Sequence, residues 1–135
     1  MSNSAGILSH AAERDASSAL IQQLRVKAES PRQLAGRLSG GNQQKVVIAR
    51  WLHRGASVFL FDEPTRGIDV GAKVEVFQTM DQLARSGAAL LMVSSELPEL
   101  IQVADRILVM REGQLTGELP GRTTQEEIMH LATRQ

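Results

Sequence analysis

The chain has 135 residues, which is enough for one modest domain with a hydrophobic core. Its 15 basic and 15 acidic residues cancel, so bulk charge gives no support for nucleic-acid binding. No cysteine is present, which excludes a disulfide framework and a thiolate metal site. The longest wholly apolar run, residues 88–93, is too short to span a bilayer, and the first residues lack the pattern of a secretory signal. Any membrane association is therefore expected to go through a partner.

The N-terminal stretch shows little hydrophobic periodicity. Residues 1–15 are predicted to be a frayed or poorly packed lead-in. Residues 16–26 place leucine and isoleucine at helical spacing, which predicts a helix that stops before the Ser30-Pro31 break.

Residues 38–45 read Leu-Ser-Gly-Gly-Asn-Gln-Gln-Lys and open a helical pattern predicted to run from Ser39 to His53. The first turn of a helix has N–H groups without intrahelical partners and a partial positive charge. Glycines let an anion approach those groups, and Ser39 adds a hydroxyl donor. The pattern indicates a helix N-terminus that faces phosphate. The alternative is an ordinary N-cap with flexible glycines.

Further along the same helix, one apolar stripe is expected to face the core. It comprises Val47, Ile48, Trp51 and Leu52. Trp51 is the only tryptophan of the chain and is predicted to be a core residue.

An unbroken apolar run at residues 58–61 is followed at once by Asp62 and Glu63. Such a run is typical of a strand buried on both faces of a parallel sheet. Ligands of open α/β sheets bind at the carboxyl ends of strands, where two carboxylates suit a hard cation and a polarised water. The alternative is a strand that ends in polar residues and a proline turn.

The C-terminal half continues with alternating helix and strand patterns. Asp69 is predicted to cap a helix over residues 70–86 that ends at Gly87 and buries Val70, Val74, Phe77, Met80, Leu83 and Ala84. Residues 88–94 and 105–110 are predicted strands, the former buried. A turn at residues 112–114 leads into a short partner strand at 115–119, and a closing helix over 123–132 is capped by Thr124 and docked by Ile128, Met129 and Leu131.

Three of these stretches, in this order and spacing, resemble the nucleotide-binding subunits of ABC transporters. Residues 38–43 look like the family signature, residues 59–63 like the Walker B strand with its glutamate, and residues 67–69 like the D-loop. The resemblance covers the chain from about residue 20 onward. It implies an α/β fold, namely a partial P-loop NTPase domain with a parallel sheet flanked by helices, then a small hairpin and helix.

The amino-acid sequence of residues 38–45 and 62–73 is similar to that of one subfamily, the bacterial importers of monosaccharides such as ribose, galactose and xylose. Those proteins carry two nucleotide-binding domains in one chain, and this sequence resembles the second. The resemblance implies that residues 1–37 close a helical subdomain and that residues 38–135 form the C-terminal part of the ATPase core, with signature, Walker B, D-loop and switch strand.

The resemblance also assigns site residues for ATP and Mg²⁺. ATP contacts are implied for Ser39, Gly40, Gly41, Asn42, Gln43 and Asp69. Asp62 is expected to hold Mg²⁺ through water, and Glu63 to be catalytic. Ser95 occupies the place of the family's switch histidine, where it can donate a hydrogen bond but cannot carry charge near neutral pH. Its alternative role is to cap a helix over residues 97–104.

No Gly-x-x-x-x-Gly-Lys-Ser/Thr occurs in the chain, so it lacks the Walker A cradle for phosphate. Family domains pair head to tail, so the signature is expected to complete a site whose Walker A belongs to a second nucleotide-binding domain. Negligible ATP hydrolysis by this chain alone is expected. The strand at 58–61 is expected to keep an open side, which favours self-association.

The function that follows is the energy-coupling ATPase component of a carbohydrate importer, present as a truncated chain. Its expected partners are the second nucleotide-binding domain and sugar permease subunits, without nucleic acid. Its expected location is cytoplasmic, peripheral on the inner face of the cell membrane. Alternatives are a non-catalytic interaction fragment or remnant, and a soluble ABC-type ATPase of DNA repair or translation.

Overall fold

A computed structural model describes residues 9–133 as five α-helices and four strands. In chain order these are α1 (His10–Gln23), α2 (Gly40–His53), β1 (Val58–Asp62), α3 (Val70–Arg85), β2 (Ala89–Val93), α4 (Leu97–Val103), β3 (Arg106–Arg111), β4 (Gln114–Pro120) and α5 (Gln125–Thr133). A single 3₁₀ turn, Ala35–Arg37, precedes α2. The described residues divide into two compact units, one of residues 9–60 and 64–91, the other of 61–63 and 92–133.

The first helix begins earlier than the sequence indicated. A frayed lead-in is wrong from His10 onward, where the chain is helical, whereas poor packing is confirmed there because no residue of α1 is buried. Residues 1–8 of the predicted lead-in lie outside the described part of the chain. The Ser9 hydroxyl accepts a hydrogen bond from Ala12 N at 3.3 Å, which caps α1, and two alanines then favour the helix. None of its residues is buried, so capping and propensity explain its early start, without help from core packing.

The helix α2 runs over the predicted residues, but its buried face differs from the predicted stripe. Trp51 is 55% exposed and Val47 is also exposed, so the prediction of a core tryptophan is wrong. The buried residues are Gly41, Asn42, Lys45 and Ile48, which recur at helical spacing on another face. Because the inward face includes a lysine and an asparagine, the sequence shows no apolar periodicity on that face.

The helix α3 confirms its predicted bounds and cap. The Asp69 carboxylate accepts from Ala72 N at 3.0 Å, and Gly87 follows the helix with φ +96°. Its buried residues are Val76, Thr79, Met80 and Leu83, whereas Val70 and Val74 are exposed. The predicted burial is therefore confirmed for Met80 and Leu83 and wrong for the two valines near the N-terminal end of the helix.

The strands β1 and β2 pair in a two-stranded sheet. Ala89 N donates to Ser57 O and Glu63 N donates to Val93 O, so the two strands run parallel, as predicted. Burial on both faces was wrong: only Phe59 and Phe61 of β1 are buried, and no residue of β2 is.

In the second unit, β3 and β4 form an antiparallel hairpin. Glu112 and Gly113 turn it with φ +50° and +78°, which confirms the predicted turn. Ile107 and Val109 form a small core with Ile128 of α5, and Leu131 packs against it, while Met129 stays exposed against prediction. Glu127 N donates to Thr124 Oγ1 and Thr124 N to Glu127 Oε2, so the predicted cap is present as a reciprocal pair.

Candidate functional site

The predicted phosphate-facing element begins at Ser39, the residue that precedes α2. Its backbone has the extended conformation of an N-cap, φ −62° and ψ 156°. Within residues 9–133, however, no helix N–H donates to its hydroxyl. That oxygen accepts instead from the Asn42 side-chain amide at 2.8 Å. Because the oxygen is the acceptor, the Ser39 hydroxyl proton is left to donate outward, which is the property an anion contact needs.

Asn42 is buried and held from both ends. Its Oδ1 accepts from Lys27 N at 2.7 Å while its Nδ2 donates to Ser39. The two bonds together fix which end of the amide is oxygen, because only the carbonyl end can accept from a backbone N–H. Asn42 therefore acts as a support behind Ser39, a role that the sequence alone did not reveal.

Gln43 fixes the chain at Leu38, the residue that precedes Ser39. Its Nε2 donates to the carbonyl of Leu38 at 2.8 Å. Leu38 N in turn donates to Ala35 O at 3.0 Å, so the approach to the helix is held by consecutive bonds. The two predicted nucleotide-contacting amides, Asn42 and Gln43, thus both have partners within the protein that shape the turn.

The two glycines of this turn serve different purposes. A Cβ on Gly41 would lie 2.8 Å from the Ala72 Cβ and 3.3 Å from its carbonyl oxygen, so a glycine is needed where α2 packs on α3. A Cβ on Gly40 would meet only Ile68 Cγ1, at an ordinary 3.5 Å. Gly40 is exposed at the helix N-terminus, where it leaves room for a ligand to approach the first-turn N–H groups.

A charge network with a buried lysine lies behind the same turn. The Lys45 side chain is only 4% exposed, and its Nζ lies 3.0 Å from Glu75 Oε2 and 3.3 Å from Arg25 O. Lys27 Nζ contacts the other carboxylate oxygen at 2.6 Å. Hydrogen bonds from Lys27 and then from Lys45, with the Lys45 charge, lower the pKa of Glu75 to about 2. Lys27, whose N–H also holds Asn42, thus connects the network to the support of Ser39.

Sequence reasoning missed this network, although one signal was present. Lys45 stands four residues after Gly41 and three before Ile48, on the face that packs inward. A buried cation needs an acidic partner. Nothing in the sequence indicated that the partner would be Glu75 rather than another acid.

Asp69 lies in the first unit, at the end of the loop that resembles a D-loop. Its carboxylate is used for the cap of α3, which confirms the structural role predicted for it. Its contribution to a nucleotide site stays a prediction.

In the second unit, the structure brings together Glu63 and Ser95, to which the resemblance gave catalytic roles. Ser95 N donates to Glu63 Oε1 at 2.7 Å. Glu63 has φ +46°, a left-handed conformation that a residue with a side chain rarely adopts. Backbone strain of this kind is common at functional positions.

Asp62 ends β1 and is exposed, directly before Glu63. In the part of the chain that the structure describes, no group of three or more His, Cys, Asp or Glu side chains is placed to hold a metal directly. Exposed carboxylate oxygens suit a hard cation that keeps its waters, which fits the predicted contact of Asp62 with Mg²⁺ through water.

The alternative role of Ser95, as the cap of the following helix, is wrong. The residue at the cap position of α4 is Glu96, and its N–H donates to the Ser94 hydroxyl at 3.0 Å. Ser94 Oγ in turn donates to the buried carboxylate of Glu99 at 3.3 Å. Because Ser94 performs this local role, the Ser95 side chain is not needed to begin the helix.

Comparison with known proteins shows what the chain is similar to. The family model described as ABC transporter matches residues 2–66, a segment that includes Ser39 to Gln43 and Glu63. Over that segment the chain matches the ABC transporter family.

The curated relatives of high identity are ATP-binding proteins of sugar import. The chain is 51% identical over 129 residues to the ribose import ATP-binding protein of Bacillus subtilis, covering 95% of this chain and 26% of that protein. It is 54% identical over 123 residues to a putative ribose/galactose/methyl galactoside import ATP-binding protein of Burkholderia cenocepacia, covering 90% and 24%. The chain thus spans about a quarter of the length of these relatives.

Solved structures give the same fold. A nucleotide-free ATP-binding cassette of an ABC transporter superposes with a TM-score of 0.73 at 26% identity, covering 87% of this chain and 45% of that one. A putative metal-chelate type ABC transporter gives a TM-score of 0.78 at 17% identity, which shows the fold alone, over 96% and 51%. Over residues 9–133, no helix has the length and hydrophobicity needed to cross a membrane.

Proposed function

We propose that this chain is part of the ATP-binding, energy-coupling component of a bacterial carbohydrate ABC importer. The names of two relatives, at 51% and 54% identity, support a role in sugar import. The observation that carries the proposal is the arrangement at Ser39, where Asn42 takes the oxygen as its acceptor and leaves the hydroxyl proton for a ligand. ATP supplies the phosphate-bond energy in such a component, and the residues of this chain bind and orient it.

The proposed roles follow from the chemistry of each group. Ser39 donates to a phosphate oxygen, and the N–H groups around Gly40 and Gly41 face the same anion. Asp62 holds Mg²⁺ through water, and Glu63 accepts a hydrogen bond from an attacking water. Ser39, Gly40 and Gly41 belong to the signature, whereas Asp62 and Glu63 end the Walker B strand. In a head-to-tail pair of domains, these two groups of residues therefore serve different nucleotides. Asp69 lies in the loop proposed to meet the partner domain.

The sequence contains no Walker A loop, so the signature is proposed to work on a nucleotide whose Walker A is part of a second domain. Negligible hydrolysis is proposed for this chain alone. Permease subunits are the proposed membrane partners, which would place the protein on the inner face of the cell membrane. A non-catalytic interaction role is the second candidate, favoured by the same missing loop.

Nucleotide-dependent association tests the proposal directly. The chain is mixed with a separately produced ABC nucleotide-binding domain that carries a Walker A loop, and complex formation is followed by light scattering. ATP with Mg²⁺ is expected to promote a complex, and Ser39→Asp to abolish it, because a carboxylate repels phosphate while still serving as an N-cap. Ser9→Asp, at the cap of α1, is the matched control and should leave the complex intact.

Two outcomes would argue against the proposal. Association that is unchanged by Ser39→Asp would show that the signature takes no part in the interaction. Tight binding of nucleic acid that weakens steeply with salt would favour an ABC-type ATPase of DNA repair or translation.

A further inference from the structure

A cleft of about 670 Å³ lies between α1 and α2 in the first unit, and residues 28–35 form its third wall. Each helix lines it with one stripe at helical spacing, which includes Arg14 and Ile21 on α1 and Val46 and Arg50 on α2. No residue of α1 is buried, so the two helices leave space between them. The volume falls within the range of roughly 300–1,000 Å³ that small-molecule sites occupy.

The inner part of this cleft is apolar. Val26 and Leu38 line it and are buried, and Leu20, Ile21 and Val46 line it and are half-buried. Apolar surface that is concave and only partly covered gains free energy when an apolar group displaces its water. The inner part of the cleft therefore suits the hydrophobic body of a ligand.

The exposed lining of the cleft is basic. Arg14 on α1, Arg50 on α2 and Arg32 on the third wall all line it with exposed side chains. Within residues 9–133, none of these three guanidinium groups forms an ion pair or a side-chain hydrogen bond. Among the lining residues of that range the acid is Glu13, whose carboxylate lies 3.2 Å from His10 Nδ1. The three arginines are therefore available to an anion from outside.

Arginine and apolar surface together select a particular kind of ligand. A guanidinium group binds carboxylate or phosphate through two parallel N–H bonds, a geometry that lysine does not offer. An exposed ion pair alone contributes little, so the apolar inner part is needed for useful affinity. The proposed nucleotide contacts Ser39, Gly40 and Gly41 are not among the lining residues.

We propose that the cleft between α1 and α2 binds a small organic anion with an apolar body, namely a free carboxylate or phosphate monoester that carries a hydrocarbon chain or ring. Arg14, Arg32 and Arg50 bind the anionic head, and the body lies against Val26 and Leu38. This site goes beyond the proposed function, because it takes no nucleotide and needs no second domain.

The test titrates the full chain with octyl phosphate below its micelle concentration and measures binding by calorimetry. Inorganic phosphate supplies the head alone, and octanol supplies the body alone. One octyl phosphate per chain is expected to bind, with an affinity at least about tenfold above that of either part. The amide resonances of residues 14–21 and 46–53 should shift during the titration, which locates the ligand between the two helices.

Matched variants identify the groups that hold the head. Arg14→Gln and Arg50→Gln are each expected to weaken octyl phosphate binding by about tenfold, because each removes a charged hydrogen-bond donor. Arg54→Gln makes the same change at an exposed position just after α2 that does not line the cleft, and it should have no effect. All three side chains are exposed, so none of the changes is expected to unfold the chain.

The overturning results are distinct. Octyl phosphate that binds no more tightly than inorganic phosphate, or equally well to the wild type and both cleft variants, would refute the site. Displacement of octyl phosphate by ATP with Mg²⁺ would make the cleft a nucleotide site. Binding to phosphatidylglycerol vesicles without binding of free octyl phosphate would make it a membrane contact. Ser39→Asp should leave octyl phosphate binding intact, so this inference and the proposed function fail separately.

Discussion

The backbone N–H of Ser95 donates a 2.7 Å hydrogen bond to the carboxylate of Glu63, 32 positions earlier in the chain. The bond fixes a residue whose backbone already has the left-handed φ of +46°. It therefore orients the proposed catalytic carboxylate through the main chain of the switch position. The Ser95 hydroxyl is not required for this contact, because the donor is the backbone N–H.

Substitution at Glu63 separates backbone strain from the hydrogen bond. Glu63→Ala and Glu63→Gly both lose the carboxylate contact with Ser95 N, but only glycine adopts a positive φ without a steric cost. We expect Glu63→Gly to be more stable than Glu63→Ala by about 1 kcal/mol in urea unfolding. At Asp62, which is in an ordinary strand conformation, the order should reverse, with alanine the more stable. The same order at both positions would contradict a strained Glu63.

Substitution at Asn42 tests the support of Ser39. Asn42→Ala removes the acceptor for Lys27 N and the donor to Ser39 Oγ in a buried place, and is expected to cost about 1–3 kcal/mol of unfolding free energy. Asn42→Asp keeps the acceptor for Lys27 N and loses less. It also turns the Ser39 hydroxyl inward, because a carboxylate can only accept. Chemical denaturation measures both, and a loss-free Asn42→Ala would show that the buried amide is not a structural support.

Caps, helix ends and turns were predicted well from the sequence, because each of them depends on residues that are neighbours in the chain. The cap at Asp69, the stop at Gly87 and the turn at Glu112-Gly113 each follow from one or two residues, and all three are present. The pairing of Glu63 with Ser95 was anticipated only through the family resemblance, which placed both residues at one site.

Burial was predicted less well, because it depends on contacts between elements that are distant in sequence. The apolar run at 58–61 indicates an interior strand, yet Val58 and Leu60 are exposed in a sheet of two strands. Trp51 is exposed because α2 presents Lys45 and Ile48 inward instead. The pairing of Lys45 with Glu75 joins two helices that are distant in sequence, and no local pattern indicated it.

The close approach of α2 and α3 at Gly41 gives a test by double substitution. Gly41→Ala would bring its Cβ to 2.8 Å from the Ala72 Cβ, and is expected to cost about 1–3 kcal/mol of unfolding free energy. Ala72→Gly should recover most of that loss, which gives a coupling energy in a double-mutant cycle. Gly40→Ala, with an ordinary 3.5 Å contact, is the control and should cost little. Equal effects at Gly40 and Gly41 would contradict the packing argument.

The charge network at Glu75 predicts how stability depends on acid. Because folding lowers the pKa of Glu75 from 4.5 to about 2, the unfolded chain binds a proton there first. Its contribution is therefore full above pH 4.5 and is lost as pH falls towards about 2. The side chain is 32% exposed, so solvent screening leaves a contribution on the order of 1 kcal/mol.

Glu75→Gln is expected to remove that part of the pH dependence and to destabilise the protein near pH 7, since Lys45 is then buried without its counter-charge. The measurement is the difference in unfolding free energy between wild type and variant at a series of pH values between 7 and 2.5. Glu118→Gln, which breaks an exposed pair with Arg106, is the charge-matched control and should lower stability little at any pH. A wild-type advantage over Glu75→Gln that stays constant from pH 5 down to pH 2.5 would show that the carboxylate does not titrate as the Lys27–Glu75–Lys45 geometry requires.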